Sequence, residues 1–165
     1  MTVAAAATHT FDSATTTEIT LDSVVLGQVQ VSTSSVFQFT NGLHGFETHL
    51  AFALVPAARE GLFWLQSVTS RDVVFLLIDP FVAAPGFEVD LGVTERAMLK
   101  LDNPMDVLVL AIVTLPAGNE ASPTANLRGP IVLNAQKRLA SQIMSAVQAH
   151  DVRTPVDLHA LPARS

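Results

Sequence analysis

The sequence predicts a small all-β domain, a barrel or a sandwich, with one or two short helices. Apolar runs of about five to nine residues either alternate with polar neighbours or are rich in β-branched and aromatic side chains, as strands are. Gly, Pro and Asn separate these runs roughly every dozen residues, which is typical of turns. No helical period lies between the runs, which argues against a layered α/β sheet.

The length and composition fit one folded domain with a tail at each end. The chain has 165 residues, of which 49% are hydrophobic and 15% charged, so most of it has enough apolar surface to fold. Residues 1–17 are rich in Ala and Thr and show no period, which predicts a disordered tail. We expect the domain over residues 18–158 and a short C-terminal tail over residues 159–165.

The strands are predicted in chain order from these patterns. Ile19 and Leu21 alternate with polar neighbours, and the following valines keep a two-residue period that Gly27 interrupts. Further predicted strands lie near residues 50–54, 62–65, 73–78, 107–114 and 131–133.

One short helix is predicted before Asn103-Pro104. Thr94 is the expected N-cap, Glu95 suits the first turn, and Met98 and Leu101 would share a face. A second segment, residues 135–150, repeats apolar residues every four positions, so its local propensity also favours a helix.

The charge balance favours a basic partner over nucleic acid. The chain has 15 acidic and 9 basic residues, a net charge of −6, whereas phosphate binding needs clustered Lys and Arg. The whole acidic surplus lies in residues 1–100, where it could form one attractive face. Glu88 and Asp90, two apart on a predicted strand, would point the same way as an acidic stripe.

Several functional classes lack their characteristic residues. The absence of Cys excludes disulfides, Cys-ligated zinc and thiol catalysis. The longest strictly apolar run has seven residues, Val107 to Val113, against about 20 for a membrane-spanning helix. The chain also has no glycine-rich phosphate loop and no Gly-x-Ser-x-Gly elbow. We therefore expect a cytoplasmic protein without membrane contact.

The polar residues give little sign of catalysis or metal binding. Asp79, between an apolar run and Pro80, could be a perturbed acid, but closing a turn is the better interpretation. Ser67 has no activating base near it in sequence. The histidines are interpreted as structural or solvated because they lack a metal-ligand spacing. They are His9, His44, His49, His150 and His159.

Short strings in a fixed order resemble a known family. They are VFQF (36–39), NGLHGFE (41–47), LQS (65–67), IDPF (78–81), IVT (112–114) and TANLRGPIVLN (124–134). Together they resemble the FliW family of flagellar assembly factors over residues 19–156, and the last string is the most specific. The chain departs from the family at His44, where a proline is usual, and in its Ala/Thr-rich tail.

The resemblance implies a small antiparallel β-barrel-like protein that is not an enzyme and has no cofactor or metal. Such proteins bind newly made flagellin. When released from it, they bind the RNA-binding regulator CsrA and stop it repressing flagellin translation. For this chain we accordingly expect two protein partners, flagellin and CsrA, no direct contact with nucleic acid, and a monomer.

The resemblance also implies a turn and a strand where local propensity favours a helix. The family continues after the TANLRGPIVLN string with an Arg-containing turn and a strand, matched here by Arg138, Ala140, Gln142 and Ile143. Arg153-Thr154-Pro155 matches a later segment. We prefer this interpretation over the helical period of residues 135–150.

Five residues are predicted to form the partner-binding surface: Glu47, Asp79, Phe81, Asn126 and Asn134. They are polar or aromatic residues beside prolines and turns, and loops on a rigid sheet usually carry binding groups. For both asparagines, an equally good interpretation is that they satisfy buried backbone groups. For Phe81, a place in the core is the slightly better interpretation.

The residues alone leave two other functions open. A small β-barrel ligand carrier or enzyme would need a roomy polar pocket inside the barrel. Direct nucleic-acid binding on an open barrel face is disfavoured by the acidic balance and by the lack of interleaved aromatic and basic residues.

Overall fold

The computed structural model describes residues 1–5, 17–118 and 121–165, and most of the regular structure in these ranges is strand. The strands are β1 (Thr2–Val3), β2 (Glu18–Ser23), β3 (Gly27–Ser32), β4 (Val36–Phe39), β5 (Ala51–Pro56), β6 (Leu62–Ser67), β7 (Val74–Ile78), β8 (Val89–Asp90), β9 (Val107–Thr114), β10 (Thr124–Ala125), β11 (Ile131–Asn134), β12 (Leu139–Gln142) and β13 (Thr154–Pro155). The helices are α1 (Pro80–Ala83) and α2 (Val93–Met98), and single 3-10 turns cover Thr33–Ser35, Pro104–Asp106 and Leu158–Ala160.

Seven strands close into a barrel in the order β11-β12-β4-β5-β6-β7-β9, and β9 pairs with β11 to complete the ring. These pairings are antiparallel except that β12 runs parallel to β4, with Leu139 opposite Gln38 and Ala140 opposite Phe39. β10 and β13 extend the sheet outward from β9. The predicted all-β, barrel-like fold is therefore confirmed.

Apolar side chains from all seven strands fill the barrel interior. Because side chains alternate across a strand, every second residue points inward. Phe39 and Phe52 meet edge to face, with their ring centroids 5.1 Å apart. The buried interior side chains are Phe37, Phe39, Leu43, Phe52, Leu54, Leu65, Leu77, Leu110, Ile131, Leu133 and Ala140.

The outward-facing residues of the same strands are covered by the rest of the chain. Val107, Val109, Ala111 and Val113 of β9 belong to a second core, which includes buried residues before and after α2 and in the C-terminal segment. On another face the β2–β3 hairpin packs on Ala53 of β5. The barrel thus has a core inside and two outside.

The two short helices begin differently. At α1, Pro80 occupies the first turn and the carboxylate of Asp79 accepts a hydrogen bond from the Phe81 amide. At α2 the predicted N-cap was wrong: the cap is Gly92, which makes no side-chain cap bond, and Thr94 lies inside the helix. The helix ends at Met98, well before Asn103-Pro104, because Lys100 adopts a left-handed φ of 52°.

The segment with conflicting signals contains the turn and strand that the resemblance implies. Arg138 has a left-handed φ of 54°, and Leu139 to Gln142 form β12. Residues 143–150 form neither helix nor strand. Pairing with β4 and β11 therefore overrides the local helical period.

Both predicted tails make contacts where the structure describes them. The amino group of Met1 donates to the Leu91 carbonyl oxygen and lies 3.6 Å from the Asp90 carboxylate, while β1 pairs with β8. Residues 6–16, most of the predicted N-terminal tail, lie outside the described residues. At the other end, Leu161 is buried and the Arg164 guanidinium donates to backbone carbonyls of Ala57, Arg59 and Leu62. In the described part of the chain, no helix is long and apolar enough to cross a membrane.

Candidate functional site

Three loop segments enclose a cleft of about 610 Å³, which we name the turn cleft. The first segment follows β4, the second lies between β10 and β11, and the third follows β12. The lining residues are Asn41, Gly42, His44, Glu47, Asn126, Arg128, Gly129, Gln142, Ile143, Met144 and Val152.

The first wall is a tight turn that requires glycine at its start. Gly42 has φ of 71°, and a Cβ there would lie 2.6 Å from the Cα of Glu47. The Glu47 carboxylate accepts a hydrogen bond of 2.9 Å from the Gly45 amide. This bond lowers the pKa of Glu47 and so favours its ionised form. The turn therefore presents a fixed, exposed negative charge.

The second wall is held by Asn126. Its side-chain oxygen accepts hydrogen bonds from the amides of Arg128 and Gly129, at 3.1 and 2.9 Å. A Cβ on Gly129 would lie 3.0 Å from the Gln142 amide nitrogen and 3.1 Å from that of Asn126. Close packing of amides, and not a left-handed backbone, therefore explains the glycine.

Gln142 joins the two walls. Its side-chain oxygen accepts from the His44 amide and its side-chain nitrogen donates to the Gly129 carbonyl oxygen, each at 3.0 Å. Gln142 was missing from the predicted site residues. Strand alternation does not reveal that its side chain reaches two loops that are far apart in sequence.

The third wall is the segment from Ile143 to Val152, which runs along the second wall. The amides of Ile143 and Ser145 donate to the carbonyl oxygens of Pro130 and Arg128, at 2.9 and 2.8 Å. Met144 is 75% exposed and Val152 is 52% exposed, so this wall offers apolar surface to solvent.

The structure separates the five predicted binding residues into three groups. Glu47 and Asn126 both line the turn cleft. Asp79 and Phe81 lie together at the start of α1, outside the residues that line this cleft. Asn134 is buried, with 1% of its surface exposed.

At α1 the two predicted residues have structural contacts. Burial raises the pKa of Asp79, although its bond to the Phe81 amide acts in the opposite direction. The ring of Phe81 is half-buried and meets Phe87 edge to face at 5.3 Å. Asp79 therefore caps a helix, and Phe81 packs against the outer core.

Asn134 uses its whole side-chain amide inside the protein. Its nitrogen donates to the carbonyl oxygens of Leu99 and Lys100, at 2.9 and 3.0 Å. Its oxygen accepts from the amides of Gln136 and Lys137, at 3.1 and 2.9 Å. It ties the end of β11 to the segment after α2, as the alternative interpretation of this residue expected.

Two Ser–His contacts, one partly buried and one buried, have structural surroundings. His49 Nδ1 lies 3.3 Å from Ser67 Oγ, although no base stands near Ser67 in sequence. Ser67 is 1% exposed, and its oxygen accepts from the amides of Thr69 and Ser70. Ser145 and His150 form the second contact, in a buried position. A nucleophile has to reach a substrate, so neither geometry favours catalysis.

The chemistry of the turn cleft suits contact with a protein surface. Its amide groups hold the turns, while Glu47, Arg128, Met144 and Val152 offer two opposite charges and an apolar rim. Such a mixture of polar and apolar groups is typical of non-obligate interfaces. In the described residues, no three His, Asp or Glu side chains form a group that could hold a metal ion.

The chain is similar to proteins of one family. The model of the FliW protein family matches residues 20–156. Flagellar assembly factor FliW of Moorella thermoacetica is 38% identical over 119 residues, covering 72% of this chain and 75% of the relative. The protein of the same name from Treponema denticola is 34% identical over 118 residues, covering 71% and 79%.

The similarity extends over a longer match with another relative and to a solved structure. Flagellar assembly factor FliW of Bacillus subtilis is 31% identical over 131 residues, covering 79% of this chain and 91% of the relative. A crystal structure of the flagellar assembly factor FliW superposes with a TM-score of 0.75 at 26% identity, over 86% of this chain and 99% of the other.

Proposed function

The chain belongs to the FliW family, and from this membership we propose that it is a flagellar assembly factor that acts by binding proteins and not by catalysis. The partners are flagellin and the RNA-binding regulator CsrA. Flagellin occupies the factor until it is secreted. The released factor then binds CsrA in the cytoplasm and relieves its repression of flagellin translation.

The turn cleft is the proposed binding surface, and one observation carries this assignment. The NGLHGFE and TANLRGP strings lie about 80 residues apart in sequence, yet both line the same cleft. Gln142 holds them at a fixed separation through two hydrogen bonds. A rigid, partly apolar cleft reduces the ordering cost of association.

Charge supports CsrA as one occupant. An RNA-binding regulator must carry positive charge, and this chain has a net charge of −6. The Glu47 carboxylate, kept ionised by the Gly45 amide, faces solvent within the cleft. Opposite charges accelerate encounter and favour the correct orientation, and salt weakens them.

The interior-pocket alternative has less support. A carrier or enzyme of this kind would hold its ligand within the barrel, where eleven buried apolar side chains lie instead. The relatives that match are named assembly factors.

Titration calorimetry with purified flagellin and purified CsrA tests the proposal. We expect each to bind alone, binding of CsrA to weaken as salt is raised, and saturation with either partner to block the other. Met144→Asp should weaken binding because it places a charge on the apolar rim. The matched control is Met105→Asp, since Met105 is also exposed and lies outside the cleft. Failure of both proteins to bind at low salt would remove the proposal.

A further inference from the structure

A buried histidine fastens the third wall of the turn cleft. His150 is 8% exposed, and its ring stacks on Phe87 with the centroids 4.6 Å apart and the planes 22° from parallel. On its other side, Nδ1 lies 2.6 Å from the hydroxyl oxygen of Ser145. The ring therefore connects the loop to the outer core.

The same loop is bonded to the second wall at both ends. The Ser145 amide donates to the Arg128 carbonyl oxygen, and the Asp151 carbonyl oxygen accepts from the Leu127 amide. Between these points the Ser145 hydroxyl oxygen accepts from the Val147 amide. Residues 143–152 thus form a strap, closed by His150, whose ends carry Met144 and Val152 of the cleft.

We propose that His150 is a positioning residue for the turn cleft, and that protonation of its ring releases residues 143–152 from the barrel. Its effect on partner binding rests on the proposed function of the cleft. The release itself is a property of the chain alone.

The contacts of the ring explain why protonation opposes closure. In the neutral ring, Nδ1 can accept from the Ser145 hydroxyl or donate to it, depending on the tautomer, whereas an imidazolium can only donate. Protonation therefore removes the arrangement in which the serine hydroxyl hydrogen points at the ring, and that hydrogen then needs another acceptor in a buried position. Burial also penalises the charge, and it lowers the pKa of His150 below its ordinary value of 6.5.

Neighbouring groups favour the protonated ring, but their effect on the pKa of His150 is smaller than that of burial. The Glu88 carboxylate, beside the stacked Phe87, favours the imidazolium. The face of the Phe87 ring also attracts a cation. On the loop itself, Asp151 follows His150, and its carboxylate accepts from the Arg153 amide at 3.4 Å.

The sign of the pH dependence follows from the lowered pKa. The closed loop binds a proton less readily than the open loop, so closure is fully favoured above about pH 6.5 and weakens as the pH falls towards the closed-state pKa. Between the two pKa values, the equilibrium constant for opening should rise about tenfold for each unit by which the pH falls.

Hydrogen exchange of the free chain tests the release. Mass spectrometry at about pH 5 and about pH 7.5, corrected for intrinsic exchange rates, should show protection lost in residues 143–152 and kept in β9. NMR titration of the His150 ring should give a midpoint below the ordinary histidine pKa of 6.5. A midpoint that is not lowered, or unchanged protection in the loop, would overturn the proposal.

Two variants separate titration from packing. His150→Gln cannot become charged, so protection of its loop should be independent of pH, whatever its level. The matched control His159→Gln should retain the pH dependence of the parent chain. If His150→Gln fails to fold, Ser145→Ala provides the second test: without the hydroxyl contact, the loop should lose protection already at neutral pH.

Binding measurements distinguish this inference from the proposed function. We expect the affinity for CsrA to fall along with loop protection as the pH is lowered, and to lose that dependence in His150→Gln. His159→Gln serves as the control: His159 lies outside the turn cleft, so this variant should keep the pH dependence of the parent chain. If the loop opens on acidification while affinity stays constant, the positioning role is overturned but partner binding stands. Absence of binding at every pH rejects the proposed function alone.

Discussion

The barrel interior and the turn cleft lie on the same strands but are held by different interactions. Inside the barrel, buried apolar side chains from seven strands pack together. At the cleft, the side-chain amides of Asn126 and Gln142 bond to the backbone of two loops. Burial of apolar surface stabilises the fold, whereas a few directional hydrogen bonds set the geometry of the site. The two regions should therefore respond to different substitutions.

The largest expected effect is in the barrel interior. Phe52 is fully buried and contacts Phe39, so Phe52→Ala should lower the free energy of unfolding by about 3 to 5 kcal/mol. Urea denaturation measures this loss. Val93→Ala, at an exposed position, should change stability by less than about 0.5 kcal/mol. Similar losses from both variants would contradict the packed interior.

The buried polar residue Asn134 should contribute almost as much to stability as Phe52. Asn134→Ala leaves two carbonyl groups and two amides without their side-chain partner, so we expect a loss of about 3 kcal/mol. Asn134→Asp keeps the acceptor but turns a carboxylate oxygen towards the two carbonyl oxygens in a buried position, so it should cost at least as much stability as Asn134→Ala. Asn41→Ala, at an exposed position, is the control for denaturation. A neutral Asn134→Ala would show that these bonds do not stabilise the fold.

In the cleft, a substitution should affect partner binding more than it affects the free energy of unfolding. Gln142→Ala removes two hydrogen bonds at a half-buried position, so we expect a loss of about 1 kcal/mol in unfolding. Hydrogen exchange at the His44 amide should become faster, and partner affinity should fall. Gln148→Ala, at an exposed position, should change neither the free energy of unfolding, nor exchange at the His44 amide, nor partner affinity. Weakened binding with no change at His44 would argue against the joining role of Gln142.

The helix cap gives an effect on stability of similar size that depends on pH. Asp79→Ala should lower stability by about 1 kcal/mol because the Phe81 amide loses its acceptor. Because burial raises the pKa of Asp79, its contribution is greatest at acidic pH and declines as the pH rises through the folded-state value. Asp79→Asn should therefore match the parent at acidic pH, where Asp79 is protonated, and should gain stability relative to it as the pH rises through the folded-state pKa. Denaturation of both proteins at several pH values measures this difference in stability. A difference that shrinks as the pH rises would contradict the prediction.

Removal of the Glu47 charge should change stability least and should act mainly on the electrostatics of binding. Glu47→Gln leaves an acceptor for the Gly45 amide and removes the exposed charge. We expect an unchanged unfolding curve, a lower affinity for CsrA and a weaker dependence on salt. Glu60→Gln, an exposed carboxylate outside the cleft, should leave binding unaltered. Equal effects of the two variants would mean that net charge, and not the cleft, governs binding.

Much of the fold follows from local patterns, and part of the site does. Alternation predicts β2 and β5 because a period-two pattern survives in any sheet that buries one face, and β9 is predicted from its continuous apolar run. The short range of capping signals limits the prediction at α2, where Gly92 replaces the expected Thr94. For residues 135–150 local propensity favours the wrong element, since pairing with two strands outweighs it.

Among the site residues, the sequence identifies chemical type better than location. Glu47 and Asn126 stand in turn-rich strings, and both line the cleft. Asn134 has the same residue type and a similar setting, but lies buried. A polar residue at a strand end serves equally well as a surface group or a backbone partner, and only its neighbours in space decide between them.

The sequence by itself determines the β class, the turn positions, the acidic charge and, through its ordered strings, the family. These properties depend on side chains close together along the chain or on their sum. Tertiary structure alone decides that Gln142 joins two distant loops and that His150 closes the strap beside them. Such contacts arise because closing the barrel brings distant segments within hydrogen-bonding distance, and no local pattern specifies that distance.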